Sequence, residues 1–134
     1  DAYESVNTTW MKHEFVSLDS NGNVIGYIKY NIDRDTLNAH SLQIINFSDN
    51  IATFGIDTMK CLEDIFVKFQ FNKLSYCVVV GNSIEKTYDR LTAKYGGVIV
   101  GTKRRHCKQM DGNFYDMKMY EILRDDFINS LSNK

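Results

Sequence analysis

The sequence contains no proline, the residue that often stiffens linkers and marks domain boundaries. It also lacks internal repeats and low-complexity segments, so residues 1–134 are predicted to form a single domain. No apolar run approaches the roughly 20 residues that a bilayer-spanning helix needs, and no signal-peptide pattern opens the chain. We therefore expect no membrane association.

An excess of positive charge is absent as well. The formal net charge is −1, which argues against a general nucleic-acid binder. Residues 103–108 (KRRHCK) are a local exception. A solvated strand face is the favoured interpretation of this run, and contact with RNA is the weaker alternative.

Cysteine is scarce, with three residues and no CxxC or Cys/His cluster, so no metal site is predicted. Cys61 and Cys77 lie in apolar segments and are predicted to be buried thiols. Because reduced thiols are typical of the cytoplasm, we expect a cytoplasmic protein.

The first half of the sequence has the pattern of an antiparallel meander. Residues 13–18, 24–32 and 39–47 are rich in alternating, β-branched or aromatic side chains, which predicts three strands. The turn signal DSNGN joins the first two strands.

The second half alternates helices and strands. A helical stripe precedes a strand at residues 74–80, and a second helix, with Ser83 as its N-terminal cap, ends at Gly96 and Gly97. Strands at 98–108 and 114–123 and a short helix at 125–131 follow. The order β-β-β-α-β-α-β-β predicts an α/β (α+β) mixed sheet with helices on both faces. The two stripes are Ile56, Met59, Leu62, Phe66 and Phe69, and then Ile84, Tyr88, Leu91 and Tyr95.

In this predicted order, two strands end just before a helix begins, at residues 48–55 and 81–83. Ligands of open α/β sheets bind at the carboxyl ends of parallel strands, and a helix N-terminus favours an anion such as phosphate. The alternative is an ordinary capped helix after a strand.

The order and several motifs resemble the GNAT superfamily of acyl-CoA-dependent N-acetyltransferases over residues 13–127. In its pyrophosphate motif VxxxxR/QxxGxG/A, Ile45 takes the valine position and Asn50 the Arg/Gln position. Thr53 and Gly55 take the two glycine positions, so Asn50 and Thr53 depart from the pattern.

Further segments carry the same resemblance. The run YCVVVGN, which ends at Asn82, looks like the family strand whose terminal Asn binds the pantetheine arm or the acetyl end. The segment DGNFYD at residues 111–116 looks like the end of the branch that acetylates ribosomal proteins and small amines. The family begins with a strand and two helices, which residues 1–12 are too short to hold, so we expect a domain that lacks them.

The resemblance implies an enzyme that transfers the acetyl group of acetyl-CoA to an amine, either a protein N-terminus or a small molecule, by direct attack. Tyr88 resembles the acid that protonates the departing thiolate, and its alternative role is that of a core aromatic. The implied residues that bind the co-substrate are Ile45, Phe47, Asn50, Ile51, Ala52, Thr53, Phe54, Gly55 and Asn82.

The third predicted strand has no carboxylate that could serve as a general base. Gln43 and Asn46 do not titrate, and His40 is a weak candidate. A non-catalytic GNAT-like binding or assembly domain is the alternative function, favoured by the departures from the motif at Asn50 and Thr53 and by the expected lack of the first family elements. Exposed strand edges in this architecture also allow a homodimer.

Overall fold

The computed structural model describes residues 2–6, 8–47 and 51–132, and for residues 2, 3 and 51–53 it describes the backbone alone. Within these ranges the chain forms seven strands and three α-helices, which confirms the predicted mixed α+β class. The chain divides into two compact units, residues 1–72 and 73–134. None of the described helices is long and apolar enough to cross a membrane.

The first unit is a four-stranded antiparallel meander followed by a helix. Its strands are β1 (Ala2–Ser5), β2 (Lys12–Leu18), β3 (Val24–Asp33) and β4 (Asn38–Asn46), each paired with the next. Helix α1 (Ile51–Glu63) continues into a π-helical turn (Asp64–Lys68). The three predicted strands are confirmed as β2, β3 and β4. The prediction omits β1, whose four residues are too few for an alternating pattern to stand out.

The turn between β2 and β3 forms for local reasons. The Asp19 carboxylate accepts hydrogen bonds from the backbone N–H groups of Asn21 and Asn23, each at 2.9 Å. Gly22 adopts φ 82°, a backbone angle that residues other than glycine rarely adopt. The DSNGN signal therefore correctly marks the hairpin.

The face that holds helix α1 against the sheet of the first unit matches the predicted stripe at Leu62 and Phe66 but not at Ile56. Ile56, predicted to be buried, is 62% exposed, while Phe54 is 6% exposed and lies against Gly26. The prediction was wrong at Ile56 because the described side chains buried at the start of α1 are Phe54 and Asp57, and Ile56 lies on another face of the helix. The π-helical turn that follows is closed by the Phe69 N–H to Asp64 carbonyl bond of 2.8 Å. The principal core residues of this unit are Phe15, Ile28, Tyr30, Ile32, Leu42, Phe54, Leu62, Ile65 and Phe66.

The second unit contains a three-stranded antiparallel sheet. Its elements are β5 (Lys73–Val79), α2 (Glu85–Lys94), β6 (Val98–Lys108), β7 (Phe114–Leu123) and α3 (Arg124–Ser132), with β7 between β5 and β6. The predicted strands and helices of this half are all present. Its core residues are Leu74, Tyr76, Val78, Tyr88, Thr92, Tyr95, Tyr120, Ile122 and Phe127.

Cys61 of the first unit is buried as predicted. Two predictions about the second unit need correction. Cys77 is exposed, because the alternation of β5 turns Tyr76 and Val78 to the core and Cys77 to the opposite face. Ser83 does not cap α2. Instead the Asn82 Oδ1 accepts the Ile84 N–H at 3.0 Å.

Candidate active site

In the first unit, β4 ends with exposed apolar side chains. Ile45 is 44% exposed and pairs with Tyr27 across the ladder, and Phe47 is 60% exposed. The Phe47 N–H donates to the Ile25 carbonyl at 2.8 Å, so that donor is already committed. Asn50, the residue at the Arg/Gln position of the motif, lies outside the described residues.

Helix α1 begins at Ile51, directly after this strand end. Its first turn contains no acidic residue, and the first N–H groups of a helix have no intrahelical partner. Together with the positive end of the macrodipole, these donors suit an anion. Gly55 leaves open space, since no described atom lies within 4 Å of the position that a Cβ would take.

The side chains next to this turn fix the helix rather than face a ligand. The Phe54 ring is buried against Gly26, so only its backbone is suited to a cofactor contact. Asp57 is 3% exposed and accepts a hydrogen bond from the Ser17 hydroxyl of β2. These contacts fix the position of the first turn of α1 on the sheet of this unit.

In the second unit, the segment after β5 is tightly hydrogen-bonded. Gly81, at φ 94°, donates its N–H to the Glu85 carboxylate at 2.9 Å. The Val80 N–H donates to the Asp116 carbonyl at 2.9 Å. The Asn82 oxygen accepts the Ile84 N–H, which fixes the side chain so that its amide NH₂ group and the second lone pair of its oxygen could contact a ligand.

An open cleft of about 400 Å³ lies beside Asn82, between the end of β5 and the β6–β7 turn. The Tyr115 hydroxyl donates to the Asp111 carboxylate at this turn. The hydrogen bond from Tyr115 lowers the pKa of Asp111 and raises the pKa of Tyr115. The sequence marks these two residues as part of a family motif but not as members of a cleft. The residues that line the cleft are Val79, Val80, Gly81, Asn82, Gln109, Met110, Asp111 and Tyr115.

Tyr88 lies on α2 with its ring in the core of the second unit. It is 4% exposed, and its ring meets those of Tyr76 and Tyr120 edge-on at centroid distances of 5.2 and 6.0 Å. Burial raises the pKa of both neighbouring phenols, Tyr76 and Tyr120. Tyr88 is therefore surrounded by phenols that stay protonated at neutral pH.

The residue after Tyr88 links α2 to β7. The Asp89 carboxylate accepts hydrogen bonds from the Tyr120 hydroxyl at 2.6 Å and from the Lys118 ammonium at 3.1 Å. Lys118 also pairs with Glu85 at 2.6 Å. The Tyr120 hydrogen bond and Lys118 lower the pKa of Asp89, so these ion pairs hold the helix that carries Tyr88.

His40 lies far along β4 from the candidate site. It pairs with Asn31, and a ring nitrogen lies 2.9 Å from the Ser41 hydroxyl. Asn46 lies six positions after His40, which corresponds to about 20 Å along a strand. Gln43 and Asn46 are exposed. The structure thus gives His40 no support as a base near the end of β4.

The described elements define a fold class. The chain has the fold of the GNAT N-acetyltransferases, as comparison with solved structures shows. It aligns with a chimera of the spermidine N-acetyltransferase SpeG from Vibrio cholerae and hSSAT at a TM-score of 0.75 and 22% identity, covering 90% of this chain and 74% of that one. The spermidine/spermine N-acetyltransferase SpeG from Vibrio cholerae in complex with manganese ions aligns at a TM-score of 0.74 and 22% identity, covering 90% and 69%.

At this identity the likeness establishes the fold alone. No protein-family model matches the sequence, and a search of curated proteins finds no match. These structures share the fold that the resemblance implies, and they do not single out the branch that acetylates ribosomal proteins.

Proposed function

We propose that the protein is an N-acetyltransferase that transfers the acetyl group of acetyl-CoA to an amine. The observation that carries this proposal is the fold likeness to two structures of the spermidine N-acetyltransferase SpeG, one of them a chimera, over 90% of the chain. The start of α1 directly after β4 supports it, since the unpaired N–H groups there suit a pyrophosphate.

The proposed cofactor contacts are mainly backbone donors of α1. They comprise the strand end at Ile45 and Phe47, the turn and first helical residues Asn50, Ile51, Ala52, Thr53, Phe54 and Gly55, and the Asn82 side chain of the second unit. The absence of acidic residues from the first helical turn fits an anionic ligand.

In the proposed reaction, the neutral amine attacks the thioester carbonyl, the new C–N bond forms and the C–S bond breaks. Tyr88 donates a proton to the departing thiolate, water takes the proton of the amine, and Tyr88 is reprotonated from that water, so that one proton moves from the amine to the CoA thiol overall. The acceptor is an amine of a protein N-terminus or a small molecule, and spermidine is the first small amine to test, because both comparison proteins are named for it. The proposed location is the cytoplasm, and a homodimer is the proposed assembly.

Calorimetric titration with acetyl-CoA tests the cofactor step. Ala52→Asp adds a negative charge in the first turn of α1, where it stabilises the helix through the macrodipole but repels a pyrophosphate. The matched control is Ile56→Asp at the 62% exposed position one turn later. We expect Ala52→Asp to weaken binding about tenfold, about 1.4 kcal/mol, and more than Ile56→Asp does. No wild-type binding at millimolar acetyl-CoA would refute the proposal.

Release of free CoA thiol with a panel of amines and N-terminal peptides tests the transfer step. Tyr88→Phe should lower kcat by about 10²-fold or more, with little change in the KM for acetyl-CoA. Tyr95→Phe, a second buried tyrosine at the end of α2, is the control for loss of a core hydroxyl. Full activity of Tyr88→Phe would remove Tyr88 as the acid.

A non-catalytic binding domain is the second candidate function. It is favoured by the 4% exposure of Tyr88 and by the departures from the pyrophosphate motif at Asn50 and Thr53. Acetyl-CoA binding without CoA release for any amine in the panel would support this candidate over the enzyme.

A further inference from the structure

The outer end of the β6–β7 hairpin carries a basic bulge that the proposed reaction does not use. Lys103 pairs with Met117 and Cys107 pairs with Tyr115. Between these pairs β6 has three residues, Arg104, Arg105 and His106, while β7 has only Asp116. Bulges of this kind re-aim side chains away from the regular ladder.

One hydrogen bond fixes the bulge in an uncommon conformation. Arg105 has φ 48°, an uncommon value for a residue other than glycine. Its backbone N–H donates to the Asp116 carboxylate at 2.8 Å. Because backbone strain of this kind persists only where the surroundings determine it, the Asp116 contact is the feature that holds this turn of β6.

The bulge presents its cations to solvent. Arg104 and Arg105, with Asp116, line an open concavity of about 770 Å³. Both arginines are exposed, and no ion pair of either is present within the described part of the chain. Lys103 and Lys108 are exposed as well, so a short stretch of β6 has four cations, with the Asp116 carboxylate beside them.

An exposed aromatic ring lies on the same face of the hairpin. Phe114 is 60% exposed and stands two residues before Asp116 on β7, which places both side chains on one face. Its ladder partner is Lys108. A cation and an aromatic face thus lie side by side, next to the concavity of the two arginines.

We propose that this end of the hairpin binds single-stranded nucleic acid. Guanidinium groups bind phosphates in a bidentate manner, and exposed aromatic rings stack on unpaired bases of any sequence. An acidic peptide would match the cations but would leave the stacking surface of Phe114 unused. The chain has a net charge of −1, so the attraction is confined to this bulge rather than spread over the protein.

Fluorescence anisotropy of a labelled uridine 12-mer, measured with the full chain over a range of salt concentrations, tests the proposal. Arg104→Gln/Arg105→Gln removes two charges but keeps polar side chains that can donate hydrogen bonds. It should weaken binding and lower the magnitude of the salt slope by about 1.4, since each phosphate contact on a single strand contributes about 0.7. Phe114→Ala should weaken binding about tenfold.

The matched control is Lys60→Ala/Lys86→Ala, which removes two charges from exposed positions on α1 and α2. Far-UV circular dichroism and a thermal melt check that each variant is folded. Equal loss of affinity in the control pair, an unchanged salt slope in the arginine pair, or no wild-type binding would overturn the proposal. So would tighter binding of a duplex, or equal competition by polyglutamate. A deoxythymidine 12-mer distinguishes DNA from RNA as the preferred strand.

Discussion

Replacing Gly26 with alanine tests how tightly α1 is packed against the sheet of the first unit. A Cβ at Gly26 would lie 2.1 Å from Cε1 and 2.3 Å from Cδ1 of Phe54. Phe54 is 6% exposed, so its ring has little space into which it can move. Overpacking of this kind costs about 1–3 kcal/mol, partly offset by about 0.4–1 kcal/mol from the lower entropy of the unfolded chain.

The reasoning predicts a specific coupling between the two positions. Phe54→Ala alone should cost about 3–5 kcal/mol. In the double variant, the methyl group enters the space that the ring has left. The sum of the two single effects should therefore exceed the loss in the double variant by about 1–3 kcal/mol.

Urea unfolding followed by far-UV circular dichroism measures these free energies. Trp10 is 71% exposed and would be a poor fluorescence probe. Gly55→Ala is the control, because no described atom lies within 4 Å of its Cβ position, and it should stabilise α1 by about 0.5–1 kcal/mol. Single effects that add within about 0.5 kcal/mol would refute the contact between Gly26 and Phe54.

The remaining predictions concern both units. Gly97→Ala should cost about 3 kcal/mol in urea unfolding, since its Cβ would lie 2.6 Å from the Glu121 carbonyl oxygen, whereas Gly101→Ala should change little. Thr92→Val should cost about 1–3 kcal/mol, because the buried Tyr76 hydroxyl loses its Thr92 partner, and adding Tyr76→Phe should recover part of that loss. Burial, with nearby Arg34 and Lys68, lowers the pKa of His13. The contribution of neutral His13 to stability is therefore complete above the pKa of histidine in the unfolded chain, about 6.5. This contribution is lost as the pH falls below that pKa. Urea unfolding of His13→Gln between pH 7.5 and 5 should show a flatter pH dependence than the wild type, and parallel curves would contradict this account.

The sequence predicted most of the fold because local signals and burial agreed. The Asp19 turn, the alternation of β2 and β3, and the stop at Gly96 all depend on neighbouring residues. The buried face at the start of α1 could not be predicted, since the fit of Phe54 over Gly26 is a property of packing.

The candidate site could be predicted only in part. The motif spacing correctly located the transition from β4 to α1. The cofactor contacts at this transition are part of the proposed function. The cleft near Asn82 depends on where the β6–β7 turn lies, and the bulge at Arg105 depends on the register between β6 and β7. The sequence marks the turn between β6 and β7, but the strand pairing that brings this turn beside Asn82 and the register that forms the bulge leave no signal in a single sequence.

The bulge of β6 has a further consequence for solubility. Among the described strands β6 pairs only with β7, and it begins with three apolar residues, Val98, Ile99 and Val100, that are 55%, 53% and 49% exposed. Such an edge is a template for aggregation, and charges and bulges on the same strand suppress edge-to-edge pairing. The arginines that we assign to phosphate binding therefore also act as gatekeepers. Variants that neutralise them should precipitate at lower protein concentration than the wild type, even while their folded structure is unchanged.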